Sequence, residues 1–273
     1  MSVAGAAPRL SVIVITKNEV ARLATCLASV AFADELIVVD AGSTDGTAEL
    51  ARSLGARVIV SADWPGFGVQ KQRALDAATG TWVLSLDADE WLDDELAAAV
   101  QQVAADGAPA QAPACYRLNR LSAFCGQWMW HGSWSPDLLP RLFQRGRARF
   151  SDDRVHERLL VDGGHARHGA RLPGRLLHNS ITSLQDALTK MNHYSSGRAA
   201  DLRASGRRGG LGRALGHGLW AFVRSYGLRR GFLDGRLGLV LALLDAQASY
   251  YRYLKLWLGD AASPHALPPP QRR

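Results

Sequence analysis

The chain reads as an α/β protein: an open sheet covered by helices on both faces, followed by a helical extension. Three observations carry this. Apolar β-branched runs alternate with helix-patterned segments at short spacing through the amino-terminal third. The first run, Leu10–Thr16 (LSVIVIT), is apolar at nearly every position instead of every second one, as a strand covered on both sides requires. From about residue 182 onward strand patterning stops and helical patterning takes over.

Taken in order, strand one ends at Thr16 and a helix follows from about 20 to 31, with Leu23, Leu27 and Val30 on one stripe. Glu35–Val39 is the second strand and runs into Asp40. The turn Ala41-Gly-Ser-Thr-Asp-Gly46 is built from residues that tolerate tight turns and cap helices, and a helix over 47–54 follows. Arg57–Val60 is a short third strand and Thr81–Leu86 a fourth, with a helix over 69–78 between them that ends at Gly80. The fourth strand closes on Asp87-Ala88-Asp89. Either aspartate could cap a helix over 92–103, with Asp93, Asp94 and Glu95 favouring its positive end. A carboxylate pair at the carboxyl end of a buried strand also sits where open α/β sheets bind ligands, and its oxygens suit Mg²⁺ or Mn²⁺. Beyond Cys115 the pattern becomes irregular and aromatic-rich, consistent with short strands and loops that complete the sheet and wall a pocket. Residues 182–200 read as helix and 201–216 (DLRASGRRGGLGRALG) as a flexible basic loop.

Composition narrows the class. Hydrophobic content of 47% with 21% charged residues is that of a globular chain long enough to bury a sizeable core. Three cysteines without a C-x-x-C pair fit a reducing compartment and argue against a disulfide framework or a four-cysteine zinc site. The start shows no secretory signal pattern, and the apolar stretch Leu237–Leu244 is far shorter than a bilayer span, so a cytoplasmic location is expected, with peripheral attachment to the inner face of the membrane as an option. Net charge is +7, and residues 161–273 hold 17 basic against 6 acidic side chains, a surplus that calls for an anionic partner. An anionic membrane surface is one candidate. No RNA-binding motif accompanies the arginines, so nucleic acid is not the expected partner, and the oligomeric state is open.

The ordered set LSVIVITKNE, LIVVDAGSTDGT, GVQKQRAL and WVLSLDADE, within roughly the first 95 residues, resembles the inverting family-2 glycosyltransferases, which use nucleotide-diphosphate sugars. The downstream pieces PRLFQRG, RVHERL, LLHN and MNHYS look like the branch that includes lipopolysaccharide core glucosyltransferases. The resemblance implies a Rossmann-like GT-A fold with a doubly covered mixed sheet. Residues 1–115 would form its nucleotide-sugar half, 116–181 its acceptor half, 182–260 a helical basic and aromatic region, and 261–273 a disordered tail. It also implies transfer of a sugar, glucose by the branch, from a UDP-sugar to a lipopolysaccharide core or other lipid-linked glycan.

Residue by residue, the resemblance places Asp89 on a divalent cation, with Asp87 reaching the ribose or the metal. His156, or alternatively His178, would complete the shell. Thr16, Asn18, Glu19 and Asp40 would border the uridine, and Asp45 and Lys71 would line the nucleotide side, Lys71 near the phosphates. Local readings compete: Asp45 could only fix its own turn, and Lys71 could lie solvated on a helix. Gln72 stands where relatives often carry Asn. An inverting transfer needs a base beside the attacking hydroxyl. Glu157 and Asp137 both qualify, and either could instead pair with an arginine such as Arg158 or Arg141. Trp134 and Arg141 are expected on the acceptor side.

Other classes are weaker. No G-x-G-x-x-G follows the first strand, against a dinucleotide-binding dehydrogenase; no Gly-rich basic loop stands there, against sugar nucleotidyl transfer. A non-catalytic basic module binding membrane or RNA would account for the arginines but not for the amino-terminal motifs. No Q-x-x-R-W appears, against a processive synthase. Toward the end, Trp220, Phe222, Tyr226, Phe232, Tyr250, Tyr251, Tyr253 and Trp257 alternate with basic residues, which fits either a membrane interface or a buried helical contact.

Overall fold

A computed structural model of the protein describes residues 9–152, 157–162 and 164–259. The chain divides into two compact units, one of residues 1–123 and 134–180, the other of residues 124–133 and 181–273.

The first unit opens with β1 (Leu10–Thr16), α1 (Val20–Ala28), β2 (Glu35–Asp40), α2 (Thr47–Ser53), β3 (Arg57–Val60), α3 (Phe67–Ala77) and β4 (Trp82–Asp87). β5 (Glu90–Leu92) and α4 (Asp94–Asp106) follow, then β6 (Cys115–Phe124). β7 (Gln127–Trp128) falls in the second unit's segment 124–133, and the remaining strands are β8 (Asp137–Gln144), β9 (Ala148–Phe150), β10 (Leu159–Val161), β11 (Gly164–His165), β12 (Ala170–Arg171) and β13 (Leu176–Ile181).

The main sheet runs β3-β2-β1-β4-β8-β6-β13-β5. Its first four strands are parallel, β8 runs antiparallel to both β4 and β6, and β13 is antiparallel to β5. The sheet is therefore mixed, and the strand–helix alternation accounts only for its parallel half. β1 is flanked by β2 on one side and β4 on the other, so the strand order reverses there and opens a crevice at its carboxyl end. Registers Thr16↔Asp40 and Ile15↔Asp87 bring three strand ends to that crevice.

Both faces are covered, and the period of two is visible in the packing. Val12, Val14, Trp82, Leu84 and Leu86 bury against Leu23 and Leu27 of α1 and Leu96 and Val100 of α4. Their neighbours Ile13, Ile15, Ile37, Val39 and Val83 bury against Ala74 and Leu75 of α3 and against Phe143 and Phe150. Each fully buried aliphatic side chain contributes about 1.5–3 kcal/mol, and before their carboxyl ends β1 and β4 admit only the small buried hydroxyls of Ser11 and Ser85 among these apolar positions. A separate small sheet has the order β11-β10-β9.

Neither Asp87 nor Asp89 caps α4. Asp93 does, its Oδ1 accepting from the Leu96 amide at 2.8 Å, and α4 starts two residues later than the apolar pattern predicts because Glu90–Leu92 pairs as a strand with β13.

In the second unit, α5 (Leu184–Ala204), α6 (Leu211–Phe222) and α7 (Gly235–Leu258) are joined by a π-helical turn over Val223–Leu228 and a short 3₁₀ turn over Gly231–Asp234. The expected basic loop over 201–216 shrinks to residues 205–210. Glycine lowers helix propensity, but here it serves close packing: a Cβ on Gly218 would stand 3.2 Å from Tyr250 Cβ, and one on Gly209 2.3 Å from the Trp257 amide. Lys255 of α7 donates to Asn192, Ser195 and Ser196 of α5. Asp234 accepts from the His131 amide and ring, and Asp245 from Ser133 and Ser225, tying residues 124–133 to these helices. Residues 261–273, expected to form a tail, lie outside the described residues.

Candidate active site

The polar side chains that break the apolar strands gather at the crevice. Asp40 is buried at 1% exposure and accepts four hydrogen bonds: from the Gly42 and Ser43 amides at 3.1 and 2.8 Å, Ser43 Oγ at 2.5 Å and Thr16 Oγ1 at 3.0 Å. It closes the turn after β2. Asn18, at φ 56°, donates its amide to Ser43 Oγ and accepts from the Thr44 amide, stitching the loop after β1 to the same turn. Asp45 accepts from the Val20 amide and from both donors of Thr47. The Thr47 hydroxyl, with those amides, holds its carboxyl below the ordinary range. Asp45 thus fixes its own turn and the start of α1. Glu19 precedes that helix, its amide donating to Thr47 Oγ1 and its carboxylate pairing with Arg22. Two adjacent loops are made rigid by this set.

Beyond them runs a chain of ion pairs of alternating sign. Glu157 Oε1 lies 2.7 Å from Lys71 Nζ, which lies 2.9 Å from Asp87 Oδ1. Asp87 Oδ2 meets Arg141 at 2.5 Å, and Arg141 meets Glu90 Oε1 at 2.8 Å. Glu90, fully buried, is also 3.2 Å from Arg120, which reaches Asp137 at 2.8 Å. Lys71 is therefore not solvated on its helix; 3% of it is exposed. The expected arginine partners are also exchanged: Glu157 pairs with Lys71 and Asp137 with Arg120, while Arg141 serves the D-x-D segment. Burial by itself would push the Asp87 carboxyl up, but Arg141 and Lys71 outweigh it and hold the group well below the ordinary carboxylate range.

Asp89 faces a different neighbour. Its Oδ2 stands 3.5 Å from His178 Nε2, and His178 Nδ1 is held 2.9 Å from Ser122 Oγ. Burial opposes ionisation of Asp89, yet the His178 contact prevails and lowers its carboxyl. These are two donors of the kind a divalent cation takes, a carboxylate oxygen and an imidazole nitrogen side by side, with the other ring nitrogen held by a hydroxyl; among the described residues no group of three His, Cys, Asp or Glu side chains is gathered to hold an ion. Asp87 fits that role less well, since each of its oxygens already faces a cation. The Cys26 thiol, 3.6 Å from the Asp87 carbonyl, is pushed up by burial first and then by Glu90, Asp87 and Asp89, with Arg141 opposing. His156 lies outside the described residues. Trp134 is half-buried at the end of a 3₁₀ turn over Gly132–Trp134, just before the Ser135-Pro136 cis bond and β8.

Glu90 and Arg120 escaped the sequence reading. Glu90 follows the D-x-D at once and could have been flagged as a third acid at the strand's tip. Arg120 is set opposite Asp137 by β6–β8 register, and His178 opposite Glu90 by β13–β5 register, which no local pattern reveals. Gln72 bridges α3 to β9, its Oε1 accepting from the Phe150 amide at 2.8 Å.

A family model for glycosyl transferase family 2 matches residues 11–150. Over 260 residues the chain is 32% identical to an uncharacterized glycosyltransferase of Rickettsia prowazekii (strain Madrid E), covering 91% of this chain and 86% of that one. It is 31% identical over 268 residues to the lipopolysaccharide core biosynthesis glycosyltransferase LpsC of Rhizobium meliloti (strain 1021), covering 89% and 93%. Among solved structures, a mannosyltransferase from Pyrobaculum calidifontis in complex with GDP-Man and Mn²⁺ is similar at 17% identity and a TM-score of 0.47, over 89% of this chain and 74% of that one. By the family model and these two relatives of more than 30% identity, the chain belongs to glycosyl transferase family 2 and is a glycosyltransferase.

Proposed function

We propose that the protein is a Mg²⁺- or Mn²⁺-dependent inverting transferase. It moves a sugar, glucose, from a UDP-sugar to a hydroxyl of a lipopolysaccharide core or other lipid-linked glycan at the inner face of the cytoplasmic membrane. The observation that carries the reading is the convergence on one crevice of the Asp89–His178 donor pair and the Glu157–Lys71–Asp87 chain. The name of the Rhizobium relative supports the acceptor class.

Asp89 and His178 would hold the cation. When bound, that ion offsets the negative charge that builds on the departing nucleoside diphosphate. Lys71 supplies a fixed, buried positive charge for the phosphates, kept in place by Asp87. Asn18, Asp40 and Asp45 shape the rigid loops against which the nucleoside rests, with Thr16 and Glu19 at their bases. Glu157 takes the proton of the attacking hydroxyl, and Trp134 and Arg141 line the acceptor side. A panel of nucleotide sugars, followed by thermal shift with and without Mn²⁺, tests the donor. A cation-dependent rise in melting temperature with UDP-glucose, lost in Asp89→Asn, is expected; equal behaviour of wild type and variant toward every sugar nucleotide would refute the reading.

A further inference from the structure

The second unit carries an amphipathic helix that faces the wrong way for a buried contact. In α6 the small residues Ala214 and Gly218 are buried, and Gly218 sits tight against Ala246 and Tyr250 of α7. The larger apolar residues point elsewhere. Leu211, Leu215, Leu219 and Val223 recur every four residues along one stripe and are 48%, 57%, 67% and 40% exposed. Trp220 is exposed beside them, and the turn that follows adds exposed Leu228, Phe232 and Leu233. The aromatic set divides accordingly: Phe222 stacks on Tyr226 and Tyr253 on His217, while Trp220 and Phe232 face outward.

Charge identifies what covers this stripe. Residues 205–244 contain seven arginines, from Arg207 to Arg236, and one carboxylate, Asp234. Asp234 is 6% exposed and already engaged by His131. The surface therefore mixes exposed leucines and tryptophan with arginines and offers no exposed acid from its own stretch. A second copy docked on the same face would oppose arginine to arginine with nothing to neutralise them. An anionic lipid leaflet satisfies both features, with acyl chains for the leucines and phosphates for the arginines. At 12 residues α6 is about 18 Å long, against a hydrocarbon core of about 30 Å, so it lies in the plane of the leaflet. Consistently, no helix among the described residues is long and apolar enough to cross a membrane.

We infer that α6 and the turn to Leu233 form an in-plane docking surface for an anionic bilayer, with Leu211, Leu215, Leu219 and Val223 entering the acyl boundary. This deepens the lipid-linked-acceptor reading but is tested without donor or acceptor. Full-length protein is floated with vesicles of phosphatidylglycerol and phosphatidylcholine, and with phosphatidylcholine alone. Wild type is expected to float with the anionic vesicles and weakly with the neutral ones. Leu215→Glu/Leu219→Glu should lower binding at least roughly tenfold, and Arg→Gln at 213, 224 and 236 roughly fivefold per site. These positions are exposed, so far-UV circular dichroism and donor thermal shift should match wild type. Absence of flotation on anionic vesicles, or equal flotation of wild type and variants, overturns the inference. Lipid-free dimers that the leucine variant dissolves would overturn it in favour of a second copy, and oligonucleotide binding without vesicle binding in favour of nucleic acid. Vesicle binding without any sugar-nucleotide affinity would leave the surface standing and sink the donor reading; the converse result separates the two the other way.

Discussion

Arg141→Met cuts the ion-pair chain at its centre. The guanidinium is 8% exposed and lies between Asp87 and fully buried Glu90, at 2.5 and 2.8 Å. Removing one partner of a buried pair costs about 3–5 kcal/mol, because the remaining charge is left in a poorly solvated place. Two features bring this case to the lower end. Lys71 still faces Asp87 and Arg120 still faces Glu90, so neither carboxylate is abandoned. Arg141 Nε is also buried without a hydrogen-bond partner among the described residues, a cost of about 1–3 kcal/mol that the variant no longer carries. A loss of about 3 kcal/mol corresponds to a fall in melting temperature of roughly 6–12 °C for a unit of this size. Calorimetry at neutral pH on wild type, Arg141→Met, Glu90→Gln and the double variant measures it. The double variant should be less impaired than the sum of the singles by roughly 1–3 kcal/mol, since the two side chains share one interaction. Coincident melting of Arg141→Met and wild type, or strict additivity in the cycle, would refute the argument that the chain is interdependent.

Two further outcomes follow from the same geometry. Glu157→Gln should keep donor-induced thermal stabilisation while transfer drops roughly 10²–10⁴-fold, with Asp137→Asn much milder; the reverse ranking would assign the base to Asp137. Asp245 is raised above the ordinary carboxyl range, first by burial and only partly offset by Ser133 and Ser225. The folded chain therefore holds that proton to higher pH than the unfolded one, and the group's stabilisation is complete below the unfolded value and is lost as pH rises through the raised one. Asp245→Asn should accordingly gain on wild type between acid and neutral pH, whereas Asp245→Leu, which strands two hydroxyls, should lose about 1–3 kcal/mol for each. Melts in which wild type gains on Asp245→Asn as pH rises would contradict the assigned direction.

The parallel half of the fold was legible because its information is local. Continuous β-branched runs with polar ends give strand, burial and crevice together, and β1, β2 and β4 fall within a residue or so of their expected spans. The stretch 201–216 misled because glycine lowers helix propensity without forbidding a helix: Gly212 and Gly216 lie within α6 with open space around them, and only Gly209 of that stretch packs closely, against Trp257. Candidate site residues were readable where a motif marks them, as at Asp40, Lys71 and Asp89. His178 and Arg141 are among the sequence-based candidates, but Arg120 is not, and neither are the pairings Arg141–Asp87, Arg141–Glu90 and Arg120–Asp137, because these depend on antiparallel register, where a shift of one position would turn a side chain to the other face.

The ion-pair chain has a consequence for how such a protein can vary. Every interior link touches two neighbours of opposite sign, and among the described residues only Glu157 and Asp137 stand at the termini. A charge altered in the middle must be answered by its neighbour, so change there has to travel in pairs; of the two ends, Glu157 is held by the proton transfer proposed for it, and Asp137 answers to Arg120 alone. Redesign should begin at Asp137 and treat the stretch from Glu157 to Arg120 as one indivisible part.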